Sequence, residues 1–109
     1  MKMVLAIVQD KDANRLANKL IDTNIRATKL SSSGGFLKTG NSTFIIGIDN
    51  EKVEKVLDII KEVSHVRKTY ISSPITLDFS LEGQMIYPME VEIGGATVFV
   101  LPVEGFFRF

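Results

Sequence analysis

Apolar residues run without a break from Met3 to Val8, the pattern of a central strand covered on both faces. Polar residues then take over, and Ala13, Leu16, Ala17, Leu20 and Ile21 recur at helical spacing, one apolar stripe on an otherwise polar helix. Asp10 or Asp12 is placed to cap its start through a side-chain oxygen. Asn24 is placed to end it, since Asn tolerates the left-handed conformation common past a helix end. Ile25 to Ser31 and Asn41 to Asp49 read as the next two strands. Asn24, Arg26 and Thr28 then share one face, because strand side chains repeat every second residue. On the following strand Phe44, Ile46 and Ile48 point one way, and Asn41, Thr43, Ile45 and Gly47 the other. Gly47 removes a side chain from that second face, so that something can approach the backbone. Between the two strands lies a loop of Ser31, Ser32, Ser33, Gly34 and Gly35, followed by Phe36 and Leu37.

Asp49 or Asn50 is placed to cap a second helix, whose buried stripe is Val53, Val56, Leu57, Ile60 and Val63. His65 to Ser72 reads as a short strand, ended by Ser73-Pro74. Ile75 to Pro88 shows no sustained period and reads as a long mobile loop, of a length that signals function. Met89 to Ile93 and Ala96 to Val103 are two strands that Gly94-Gly95 would join in a tight hairpin, and Glu104 to Phe109 is an aromatic tail. Both helices bury their stripes most economically on one face of a single sheet. The expected fold is therefore α+β, a ferredoxin-like βαββαβ sandwich with additional C-terminal strand material. Its other sheet face would be an apolar patch of interface size, for which a partner subunit is the natural cover.

Composition narrows the function. At 109 residues the chain reads as a single domain, with a core that needs neither disulfide nor metal. Its net charge of zero argues against a grip on long nucleic acid. The charge is uneven, however: residues 24–76 carry eight Lys and Arg against five acids, residues 78–109 one against five. A small anion suits the basic middle. With no cysteine, structural disulfides, thiol catalysis and cysteine metal sites are excluded. The opening apolar run is short and is followed by Gln9, Asp10, Lys11 and Asp12, where a cleaved leader needs small residues. No stretch approaches the roughly 20 apolar residues of a membrane span. The expectation is a soluble, cytoplasmic protein.

With these elements and residues in place, the chain resembles the PII-like signalling proteins, and among them the cyclic di-AMP receptor branch. The likeness covers essentially the whole chain: MKMVLAIVQD, NIRATKL, GGFLKTGNSTFIIGI, SPIT after the second helix and VEIGGATVFVLPVEGFF, in that order. It implies a homotrimer that is not an enzyme and holds one cyclic di-AMP per subunit, without metal or other cofactor, in clefts between neighbouring subunits. Its loops would regulate a downstream protein. The pocket of the family falls here on Asn24, Arg26, Ala27, Thr28, Gly35, Phe36, Leu37, Asn41 and Gly47, with Phe99 brought across the subunit boundary. A short first loop and a long second one also fit the family. Where relatives carry a Gln near the C-terminus this chain has Arg108, so that contact is not carried over.

The residues read by themselves suit such a ligand. Arg26 offers a charge-assisted contact to phosphate, and backbone N–H groups near Gly34 and Gly35 a cradle for oxygen atoms. Phe36 offers a stacking face, and Asn24, Thr28 and Asn41 offer hydrogen bonds to a base edge or ribose. Each feature alone has a plainer reading: Phe36 as a loop residue folded on the core, Arg26 and Thr28 as a solvated strand face, Gly47 as a bulge. His65, without a second ligand at metal spacing, reads as a surface histidine. Phe106, Phe107 and Phe109 read first as a tail packed on a neighbour. Two other functions compete. An acylphosphatase-type phosphohydrolase would use Arg26 with Asn41, but the string VEGFFR lies at the wrong end of the chain for it. RNA binding on an exposed sheet lacks the aromatic pattern and positive charge it needs.

Overall fold

The computed structural model describes residues 1–31, 40–72 and 88–109. The expectations placed on Gly34, Gly35, Phe36 and Leu37, and on the loop from 75 to 87, lie outside the described residues. Along the chain come β1 (Lys2–Gln9), α1 (Asp10–Asp22), β2 (Thr28–Ser31), β3 (Asn41–Ile48), a 3-10 turn (Asn50–Lys52), α2 (Val53–Ser64), β4 (Arg67–Ser72), β5 (Pro88–Ile93) and β6 (Ala96–Pro102). β1 lies at the centre of a four-stranded sheet in the order β2-β3-β1-β6, antiparallel to both neighbours. β4 and β5 leave this sheet and pair with each other as a separate two-stranded ribbon. The fold is thus the expected ferredoxin-like sandwich, with β6 in the edge position beside β1 and the ribbon inserted before it.

One layer of core explains the sheet. Val4, Ala6 and Val8 of β1 and Phe44 and Ile46 of β3 are fully buried against Ala13, Leu16 and Leu20 of α1 and Val56, Ile59, Ile60 and Val63 of α2. Two details of the helical stripes differ from expectation. Ile59 is buried, while Ile21 is 70% exposed, because a step of one residue turns it about 100° away from Leu20. On the opposite face, β1 presents Met3, Leu5 and Ile7, which are only half-buried. The continuous apolar run of β1 is therefore sealed by this chain on one side only.

The end of α1 follows the sequence closely. Asn24 has φ 64°; its N–H donates to the Ile21 carbonyl at 2.9 Å and that of Ile25 to the Leu20 carbonyl at 2.8 Å. This is a Schellman motif with Asn24 in the left-handed position, and it turns Ile25 into the core. Strand pairing consequently begins at Thr28, not at Ile25. The start of α1 differs from expectation. Neither Asp10 nor Asp12 caps the helix, which is preceded by Gln9 with no side-chain cap. Asp10 accepts a hydrogen bond from the Ser42 hydroxyl at 2.6 Å, and Asp12 is buried in an ion pair with Arg67 at 2.6 Å. The cap expected from Asp49 or Asn50 at the second helix does not form either: Asp49 precedes the 3-10 turn with no side-chain cap, Asn50 lies within that turn, and α2 is preceded by Lys52, also uncapped.

The hairpin expected at Gly94-Gly95 does not form: β5 pairs with β4, and β6 with β1. Both glycines have positive φ, 86° and 104°, but they turn the chain from ribbon to sheet. The Gly94 N–H donates to Gln9 Oε1 at 2.7 Å, and the Gly95 N–H to the Ser64 carbonyl at 2.5 Å. A Cβ at Gly94 would meet the Arg67 guanidinium and come within 2.5 Å of the His65 carbonyl oxygen. Glycine is needed there for close approach as well as for φ.

Candidate functional site

The open face of the sheet ends in a cleft of about 510 Å³ lined by Met1, Met3, Arg26, Ala27, Thr28, Ile45, Gly47, Val103, Gly105 and Phe106. Strand register explains why these residues meet. Thr28 pairs with Ile45 and Met3 with Gly47; continuing the first register sets Arg26 opposite Gly47. The Val103 N–H donates to the Met1 carbonyl, which carries the β6 edge along to the same end. Met3, Ile45, Gly47 and Thr28 all lie on the face away from the helices. The floor is apolar, and the one permanently charged side chain on the rim among the described residues is Arg26.

Three features make this cleft chemically usable. Arg26 is exposed and forms no ion pair among the described residues, so its fork of donors is available to an anion. Arg26 and Ala27 precede the paired part of β2, an edge strand bonded only to β3, and their peptide groups have no backbone partner among the described residues. An edge of this kind receives a ligand as it would another strand. Gly47, finally, leaves the floor without a side chain; a Cβ there would lie 3.3 Å from the flexible Met1 methyl.

The residues singled out in the sequence are distributed as follows. Arg26, Ala27, Thr28 and Gly47 come together in the cleft. Asn24 does not share their face, because its left-handed backbone breaks the alternation; with Ile21, Ile25 and Ile48 it lines a second hollow on the other side of Arg26-Ala27. Asn41 lies six residues from Gly47 along β3, a separation of about 20 Å. An Arg26–Asn41 catalytic pair within one chain is therefore ruled out. Phe99 is 49% exposed and pairs with Leu5 on the open face, two strands and two residues from Gly47, or about 12 Å. Met1, Met3, Ile45, Val103, Gly105 and Phe106 also line the cleft, without a signal in the sequence that marks them. Only strand register, which a sequence pattern does not supply, places them there.

Asn24 also has a structural duty that is separable from any ligand contact. Asn24→Ala puts a Cβ-bearing residue without Asn's local hydrogen bonding at φ 64° and is expected to cost about 1 kcal/mol. Asn24→Gly should leave stability within a few tenths of a kcal/mol of the parent. Thermal or denaturant unfolding of the two variants checks this. Equal losses for both would mean that the helix end does not depend on the left-handed residue.

At the opposite end of β1 from the cleft, Gln9 and the first turn of α1 gather several ties. The Asp10 N–H donates to the Gly40 carbonyl at 2.8 Å, Ser42 bonds Asp10, Gly94 bonds Gln9 and Arg67 bonds Asp12 through both terminal guanidinium nitrogens. One helical turn thus holds the start of β3 and the base of the ribbon. His65 is exposed at the end of α2, its Nδ1 2.9 Å from the Lys61 carbonyl oxygen. Among the described residues there is no cluster of side chains suited to a metal, and no helix is long and apolar enough to cross a membrane.

Comparison with known proteins agrees with this architecture. Among solved structures, the chain is similar to a functionally unknown protein from Pediococcus pentosaceus ATCC 25745. The two share 53% sequence identity over 99% of this chain and 96% of that one, with a TM-score of 0.78. The family model described as cyclic-di-AMP receptor matches residues 1–109, the whole sequence. Its members are ligand-binding receptors and not catalysts, which removes the phosphohydrolase alternative. The chain, with its ferredoxin-like sheet and basic cleft, belongs to the cyclic-di-AMP receptor family.

Proposed function

We propose that cyclic di-AMP binds in the cleft between Arg26-Ala27-Thr28 and Gly47, and that this cleft is one wall of a site completed by a neighbouring copy in a homotrimer. The observation that carries the reading is the coincidence, in a receptor of this family, of a guanidinium and a strand edge that are both unpaired among the described residues with a side-chain-free floor at Gly47. Arg26 takes a phosphate, the peptide groups of Arg26 and Ala27 take a base edge, and the Thr28 hydroxyl takes a further polar atom. Asn24 stands at the outer rim. Phe99 and Asn41 lie too far from Gly47 in their own chain and reach the ligand from another copy. The apolar open face, with Leu5, Ile7, Ile45, Phe99 and Leu101, supports assembly, because exposed patches of this kind mark interfaces. We place the protein in the cytoplasm, where its loops, biased by the bound second messenger, act on a protein partner.

Calorimetric titration with cyclic di-AMP is expected to saturate at one ligand per subunit, with light scattering giving a mass of three chains. Absence of heat with cyclic di-AMP would sink the site. A monomeric mass with binding retained would sink the shared site alone.

A further inference from the structure

The C-terminal tail is aromatic on both of its sides. Phe107 and Phe109, two residues apart, stack on each other with ring centroids 6.3 Å apart and planes 15° from parallel. Phe106 lies between them and the sheet in sequence and lines the cleft instead. Gly105 allows this division, because a Cβ there would come within 2.9 Å of the Phe107 ring, which folds back over the tail backbone. Phe106 is therefore a ring 64% exposed, in the same cleft as Arg26 and Gly47, with no aromatic partner among the described residues. A ring beside a guanidinium above an apolar floor fits a ligand with both a flat π surface and an adjacent negative charge. A nucleotide has both.

We propose that Phe106 supplies a base-stacking face to the bound nucleotide from the subunit's own tail, making the tail part of the ligand site as well as any contact it makes with a neighbour. This rests on the cleft being the nucleotide site. Stacking requires the ring's π face and not just apolar bulk, so aromatic replacements should function and aliphatic ones should not.

Calorimetry with cyclic di-AMP on four single variants of the full chain separates the possibilities. Phe106→Ala is expected to weaken binding about tenfold and Phe106→Leu, which keeps apolar bulk, about fivefold. Phe107→Ala should bind within twofold of the parent. The chain contains no Trp, so Phe106→Trp provides a single emitter in the cleft; it should bind within about threefold, and saturating cyclic di-AMP should quench and shift its emission. Unchanged affinity in both Phe106→Ala and Phe106→Leu, or unchanged emission of F106W at saturation, overturns the proposal. Arg26→Ala, run alongside, distinguishes the two levels. If it weakens binding while the Phe106 variants do not, only the tail's role falls; if it too is silent, the cleft assignment falls with it.

Discussion

Replacing Arg67 by Met is expected to lower stability by about 3 kcal/mol and the melting temperature by roughly 10–20 °C. The Asp12 side chain is 1% exposed and that of Arg67 25% exposed, so the change strands a carboxylate where water barely reaches it. Arg67 meets both carboxylate oxygens, at 2.6 and 3.3 Å, and also donates to the His65 carbonyl at 3.1 Å. Its pKa is raised above the ordinary arginine value, first by the hydrogen bonds to Asp12 and then by that residue's charge, while burial works against the shift. A raised pKa on a base means that its contribution is complete below the ordinary value and fades only above it. The guanidinium thus stays charged throughout the neutral range. Arg67→Lys should recover only part of the loss, since an ammonium does not reproduce the two-pronged contact. Combining Arg67→Met with Asp12→Asn should cost much less than the sum of the single changes. A melt of Arg67→Met within a few degrees of the parent would show that this pair does not hold the ribbon's base.

Arg26→Ala should leave the melting temperature unchanged and weaken cyclic di-AMP binding about 30-fold, near 2 kcal/mol. The side chain is exposed and unpaired among the described residues, so folding gains little from it. A bound phosphodiester would gain a charge-assisted contact in a cleft whose floor is apolar. Arg26→Lys should keep the charge but not the fork, with a loss between the two. Raising salt should weaken the parent more steeply than Arg26→Ala. Titrations at two ionic strengths check both points, and affinity within twofold of the parent would remove Arg26 from the site.

Hydrophobic period made the core legible in the sequence, whereas the expected N-terminal caps do not form. The stripes at 3.6-residue spacing placed α1 and α2, and Asn24 announced the end of α1 correctly. Long-range electrostatics were not legible: Asp12 looks like a helix cap because Arg67, its partner, is 55 positions away. Gly94-Gly95 looked like a hairpin for a related reason. Local turn chemistry is the same whether the flanking strands pair with each other or with partners elsewhere. At the site, residue types and the family resemblance brought out Arg26, Ala27, Thr28 and Gly47. The floor and far rim, Met1, Met3, Val103 and Phe106, required the register of three strands, which depends on contacts between the two ends of the chain.

The ribbon's attachment has a mechanical consequence. β4 and β5 return to the body together, at Arg67 and Gly94, and both attachments fall where β1 passes into the first turn of α1, at Asp12 and Gln9. Two anchors constrain any displacement of the ribbon to a tilt about that turn. Six paired residues per strand give it an arm of about 20 Å. An angular change of about 10° at Asp12 thus becomes about 3.5 Å of travel at Ser72 and Pro88. The same turn also touches Gly40 and Ser42, so the fulcrum of that tilt and the start of β3 share a single set of hydrogen bonds.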